Sequence, residues 1–149
     1  VEFKINATKQ LHLVGSYSYQ ENENEAGLKD FTTVPNDLFK AGVIYYFPSG
    51  TTIGLHDTYI GEAADIEIIS PNRKAVNPGA TSFHLVTAKL SLELGRLFNL
   101  KQLEGGKLSV YGYNLLDEPI YQPDFIGKRV NTLPAKSGRA IYVELSFEF

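Results

Sequence analysis

A chain of 149 residues, 43% of them hydrophobic, fits one domain and carries enough apolar side chain for a substantial buried or lipid-facing surface. With no cysteine it excludes a disulfide framework, an iron–sulfur site and any thiolate zinc site. A net charge of −3 and a pI near 5.6 leave no basic surface for a phosphate backbone, so no nucleic acid is expected as a partner.

In chain order, residues 1–7 set Val1, Phe3, Ile5 and Ala7 against Glu2, Lys4 and Asn6, a short two-faced strand. The strand begins as if cut. There is no initiator Met, basic n-region or apolar h-region before it, so the chain is expected to start after processing or inside a longer polypeptide. After a polar break at 8–10, residues 11–20 place Leu11, Leu13, Gly15, Tyr17 and Tyr19 opposite His12, Val14, Ser16 and Ser18. Residues 21–36 are polar loop. Residues 37–47 return to alternation, with Phe39, Ala41, Val43, Tyr45 and Phe47 on one face. Pro48-Ser49-Gly50 then predicts a tight turn, because Pro fixes one dihedral and Gly admits positive φ.

The return strand, 51–60, has Ile53 and Leu55 on one face and Thr52, Gly54, His56 and Thr58 on the other. Asp57 falls in the apolar row, so either the strand leaves its apolar surroundings early or a bulge shifts its phase. Residues 61–82 are a second long connection. The longest strand candidate is 83–98, with Val86, Ala88, Leu90, Leu92 and Leu94 in one row; a helix competes through its Leu, Ala, Lys and Glu content, but the two-residue period favours a strand. A short return at 99–106 leads to a strand at 107–116, with the side taken by Tyr111 left open. A proline-bearing loop follows at 117–138. Residues 140–149 close the chain with Ile141, Val143, Leu145, Phe147 and Phe149 alternating with Tyr142, Glu144, Ser146 and Glu148.

No apolar run approaches the ~18 to 20 residues of a membrane helix; the longest, 43–47, has five. Seven strands of about ten residues, joined by connections that alternate short and long, match outer-membrane barrels, which have short turns on one side of the membrane and long loops on the other. The expected fold is all-β: residues 1–149 as a single region, an antiparallel up-and-down transmembrane β-barrel segment. Two other accounts stay open. One is a small self-contained outer-membrane barrel, structural or adhesive, which an eighth strand in a long loop would favour. The other is a soluble lipocalin-like ligand-binding barrel with its apolar rows turned inward.

Three stretches resemble a known family. Val34-Pro35-Asn36 leads through Tyr46-Phe47-Pro48-Ser49-Gly50 to Gly54; Tyr113-Asn114-Leu115-Leu116-Asp117-Glu118-Pro119-Ile120-Tyr121 follows; Leu133-Pro134-Ala135 with Gly138-Arg139 precedes a last strand ending in Phe149. In this order they are similar to the C-terminal third of the barrel in TonB-dependent outer-membrane receptors, the 22-stranded transporters with a plugged lumen. The resemblance implies location in the bacterial outer membrane and uptake of a scarce nutrient such as a ferric siderophore, hence iron uptake. It implies outer-membrane lipid and lipopolysaccharide as surroundings, and Phe149 as an assembly signal read by the barrel-assembly machinery. It also implies that the plug, the N-terminal barrel strands and the coupling to TonB belong to a parent protein, since this chain carries neither plug nor TonB box.

Candidate chemistry is sparse. His12, His56 and His84 show no metal-binding spacing, and scattered polar-face histidines are the simpler account. Glu21, Glu23 and Glu25 offer hard oxygen ligands without the spacing of a calcium loop. Lys128, Arg129 and Lys136 form a basic group in the third long loop, suited to an anionic substrate or lipopolysaccharide phosphates. No nucleophile elbow or phosphate cradle is present, so neither an enzyme nor a cofactor is expected.

Overall fold

The structure, a computed structural model, describes residues 1–21, 27, 35–63, 76–124 and 130–148. Its strands are β1 (Glu2–Asn6), β2 (Leu11–Tyr19), β3 (Asp37–Tyr46), β4 (Thr51–Ile60), β5 (Phe83–Glu93), β6 (Gly106–Tyr113), β7 (Tyr121–Pro123), β8 (Thr132–Pro134) and β9 (Ala140–Phe147). A five-residue helix α1 (Leu94–Phe98) and a 3₁₀ turn (Lys101–Leu103) lie between β5 and β6. Seven strands make one antiparallel sheet in the order β1-β2-β3-β4-β5-β6-β9, while β7 and β8 form a separate hairpin.

The register decides which side chains share a face. Leu13, Val43, Leu55, Ala88, Gly112 and Ile141 stand in one cross-strand row. Leu11, Tyr45, Ile53, Leu90, Val110 and Val143 stand in the next. Because side chains alternate with period two, these two rows place the apolar half of every strand on one face. His12, Gly42, His56, Thr87, Lys89, Ser109 and Glu144 fall on the other.

Pairing runs unbroken from Thr51 to Ile60, so no bulge precedes Asp57 and its carboxylate does lie in the apolar row. Tyr111 pairs with Lys89 and Tyr142 and belongs to the polar face. The turn at residues 48–50 forms as expected: Gly50 donates to Phe47 O at 3.1 Å and takes φ 81°, a conformation costly for any residue with a Cβ. On β2, Gly15 leaves room for the ring of Phe3, which lies over it where a Cβ would collide.

Three expectations are corrected. The strand begun at Phe83 stops at Glu93, where residues 94–98 turn into α1; Asn99, at φ 51°, closes it with a backbone bond to Gly95 O. The strand expected to reach residue 116 ends at Tyr113. The loop at 117–138 contains the β7–β8 hairpin, whose prolines sit where a two-stranded sheet has free edges. This hairpin adds no strand to the main sheet. Among the described residues β1 and β9 are edges with one neighbour each, and no pairing closes the sheet on itself.

The small core lies on the polar face at the long-loop end. Phe83, Leu85 and Ile120 are buried, with Ile60, Tyr113 and Ala135 against them. Asn114 holds the chain that covers this core. It is fully buried at φ 48°; its Nδ2 donates to Glu118 O (2.9 Å) and Ser137 O (3.3 Å), and its Oδ1 accepts from Glu118 N (3.1 Å). Asp117, also at positive φ, accepts from Arg139 N at 2.8 Å and so ties this turn to the start of β9. Asn tolerates the left-handed region better than most residues, and here its side chain fills the hydrogen-bonding gap left where β6 ends.

Asn114→Ala removes three hydrogen bonds from a buried site and keeps the unfavourable φ. It is expected to lower unfolding stability by roughly 2–4 kcal/mol. Asn114→Gly, relieved of the backbone strain, is expected to lose less, as measured by denaturant unfolding of the two variants side by side.

Candidate functional site

The apolar face is open to its surroundings along its whole width. Ile53 and Leu55, in the middle of the sheet with strands on both sides, are each 45% exposed, and Val143 on β9 is 68% exposed. Leucines and valines left this open would cost on the order of 25 cal/mol per Å² in water. Aromatic side chains bracket the apolar rows on β2 to β4. Tyr17, Tyr19, Phe39 and Tyr59 lie toward the long loops; Tyr45 and Phe47, in edge contact at 4.6 Å, lie toward the turn at Gly50.

Among the described residues, carboxylates enter this face only at its long-loop end. Asp57 Oδ2 meets His84 Nδ1 at 2.8 Å, with the Tyr59 ring 5.0 Å from the imidazole. The other oxygen, Oδ1, is shielded from solvent and meets no donor among the described residues. Tyr17 donates its hydroxyl to Asp37 Oδ1 at 2.5 Å. Each carboxylate thus has a partner on a neighbouring strand of the same face, which lowers the penalty of holding it beside apolar side chains.

The opposite face is polar where no loop covers it. Ser91 and Ser109 share a buried hydroxyl contact at 3.2 Å, and His12 meets the edge of the Tyr46 ring at 5.2 Å. His12 and His56 stand on this face, as the alternation predicts; His84 does not, and its place beside Asp57 corrects the expectation of three polar-face histidines. Among the described residues no three His, Asp or Glu side chains converge on a point.

At the long-loop end two connections far apart in sequence lock together. Asn131 Oδ1 accepts from the backbone N–H groups of Val76 and Asn77, both at 3.0 Å, and Asn131 Nδ2 donates to Asn77 O at 2.6 Å. Asn77 Nδ2 donates in turn to Thr132 O, and Thr132 Oγ1 to Pro78 O, each at 2.6 Å. Beside this clasp is a cavity of about 360 Å³ between Ile60, Ala63, Ala80, Phe83, Tyr121 and Pro123. No local pattern announces the clasp, since its halves lie 54 or 55 residues apart; Asn and Thr next to Pro78 and Pro134 read simply as turn chemistry.

Of the residues singled out in sequence, Lys128, Arg129, Phe149, Glu23 and Glu25 lie outside the described residues. Lys136 is exposed, three residues before Arg139 and near the turn that Asn114 organises. The motif from Asn114 to Pro119 has a structural role here: besides the bonds of Asn114, Glu118 Oε2 accepts from His84 N at 3.0 Å, and Leu115 N donates to Val86 O. No protein-family model matches the chain, and no curated protein matches it.

Asn131→Ala removes three of the five clasp bonds without touching the sheet. Hydrogen exchange at the Val76 and Asn77 amides is expected to speed up by about tenfold or more, while the amides of β4 and β5 keep their protection. Equal acceleration in the sheet would mean that the clasp stabilises the whole molecule instead of its loops.

Proposed function

We propose that the chain forms part of the wall of an outer-membrane β-barrel, with the apolar face in hydrocarbon and the polar face toward the lumen. The observation that carries this is the sheet's two-sidedness: all seven strands contribute apolar side chains to one exposed face. Taking strand spacing and rise, that face is roughly 30 Å wide and 20 Å high, on the order of 600 Å². That stands at the upper end of the largest apolar patches on ordinary soluble monomers, about 300–600 Å². A ten-residue strand such as β4 is ~33 Å long and spans ~25 Å when tilted by ~40°, the height of the apolar band in such barrels. The flanking tyrosines suit the two membrane interfaces.

Edges at β1 and β9 that are free among the described residues support a larger assembly. Unpaired backbone groups in hydrocarbon cost several kcal/mol each, so a lipid-embedded sheet needs further strands on both sides. Together with the ordered motifs, this favours the C-terminal part of a TonB-dependent receptor of about 22 strands. In this reading the parent supplies the plug and the remaining strands, TonB supplies energy through the parent, and the substrate is a scarce nutrient such as a ferric siderophore. Phe149 would serve the barrel-assembly machinery. Lys128, Arg129 and Lys136 would serve an anionic substrate or lipopolysaccharide phosphates.

Site-directed nitroxides test the orientation, and the absence of cysteine from this segment makes single labels unambiguous. In membranes, labels at Leu55, Ala88 and Val143 are expected to collide readily with oxygen and poorly with a water-soluble nickel chelate. Labels at Thr87, Lys89 and Glu144 are expected to show the reverse. Equal nickel accessibility on both faces would defeat the proposal.

A further inference from the structure

The cavity at the long-loop end is built differently from the polar face beneath it. Two of its walls are fixed by the sheet: Ile60 and Phe83 are cross-strand partners at the ends of β4 and β5, and Phe83 is itself part of the small core. A third wall comes from the base of the connection between those strands, where Ala63 N donates to Ala80 O at 3.0 Å. The fourth is β7, with Tyr121 and Pro123, which pairs with β8; β8 begins at Thr132, one of the clasp residues. The clasp therefore holds the third and fourth walls at a set distance from each other. Among the described residues no charged side chain lines the space; the described side-chain polar groups are those of Thr81, Tyr121 and Gln122.

We propose that this cavity binds an uncharged aromatic or compact aliphatic group of a small molecule. Its volume of about 360 Å³ is more than twice the ~150 Å³ that suffices to hold benzene in an engineered apolar cavity, so a two-ring group fits. A mostly apolar, pre-formed space with a few polar groups at its walls is the usual build of a small-molecule site. The same walls disfavour an ionic centre. A carboxylate, phosphate or chelated metal would lose its hydration with no opposite charge among the described lining residues to replace it. The recognised part of the ligand is then its hydrophobic portion, with Tyr121 and Gln122 orienting a hydroxyl or amide on its rim. That this ligand is the molecule being transported rests on the transport reading; the binding itself does not.

The test uses the protein in lipid nanodiscs with isotope-labelled methyl groups and the neutral two-ring probe 2-naphthol. Saturable shifts are expected at the methyls of Ile60, Ala63 and Ala80, with those of Leu108 and Leu145, at the far end of the sheet, unmoved. Filling the space from the third wall, by Ala63→Phe or Ala80→Phe, is expected to weaken binding at least about tenfold. Ala63→Ser, which leaves the space open, is expected to bind within about threefold of the parent. Shifts that grow linearly with probe, or that appear equally at Leu108 and Leu145, reflect partition into lipid and overturn the proposal, as does binding unchanged in both filled variants. Loss of the site with the nitroxide pattern intact removes only this inference. Binding at the site with the nitroxide pattern reversed keeps the site and removes the transport reading.

Discussion

Cross-strand register is the constraint on which everything else depends. A β-strand shows alternate residues to opposite sides, so a slip of one residue between any two neighbours would turn an entire apolar row over to the polar side. In this sheet six successive pairings hold the same phase from Phe3 on β1 to Phe147 on β9. The backbone hydrogen bonds do not themselves select that phase. The side chains do, by making every other alignment expose Leu, Val and Ile among lysines and serines.

Two-sidedness also explains where the polar exceptions fall. Asp57, His84, Asp37 and Tyr17 occupy the apolar face only toward the long loops, and each carboxylate is met by a partner from an adjacent strand. Nearer the turn at Gly50 the same face carries no such pair among the described residues. The described residues of the loops at that end are held by long-range bonds. Asn114 bridges β6 to the segment before β9, the Asn77–Asn131 clasp joins two connections, and Ile120 adds a buried side chain to Phe83 and Leu85 of β5. Rigid strands position these loops, and described residues of the loops line an apolar cavity between them. Variation in such loops changes what a scaffold recognises without disturbing its register.

Much of this arrangement is written in local sequence, and the remainder is not for physical reasons. Strands with one apolar face announce themselves, so all seven members of the main sheet, and the turn at Gly50, follow from alternation and turn chemistry alone. Residues 94–98 do not, because Leu94 continues the alternation of Leu90 and Leu92 while the backbone has already turned helical. Three-residue strands such as β7 and β8 are too short to show a period, and their prolines argue for loop. Asp57 looked like a defect in its strand because its partner, His84, lies 27 residues away. Asn77 and Asn131 are invisible for the same reason: long-range side-chain bonds leave no mark on neighbouring residues. The motif at Asn114 resembles a family pattern in sequence, and the structure supplies its local physics.

The proposed contact between the apolar rows and lipid chains is most directly tested by magnetisation transfer. With methyl-labelled protein in nanodiscs, nuclear Overhauser effects from acyl-chain protons are predicted at Leu55, Leu90, Val143 and Leu145, and predicted to be absent at Val14, Ile44 and Leu85. Acyl-chain contacts confined to the second set, or found at neither, would contradict a sheet that meets the membrane with its apolar face.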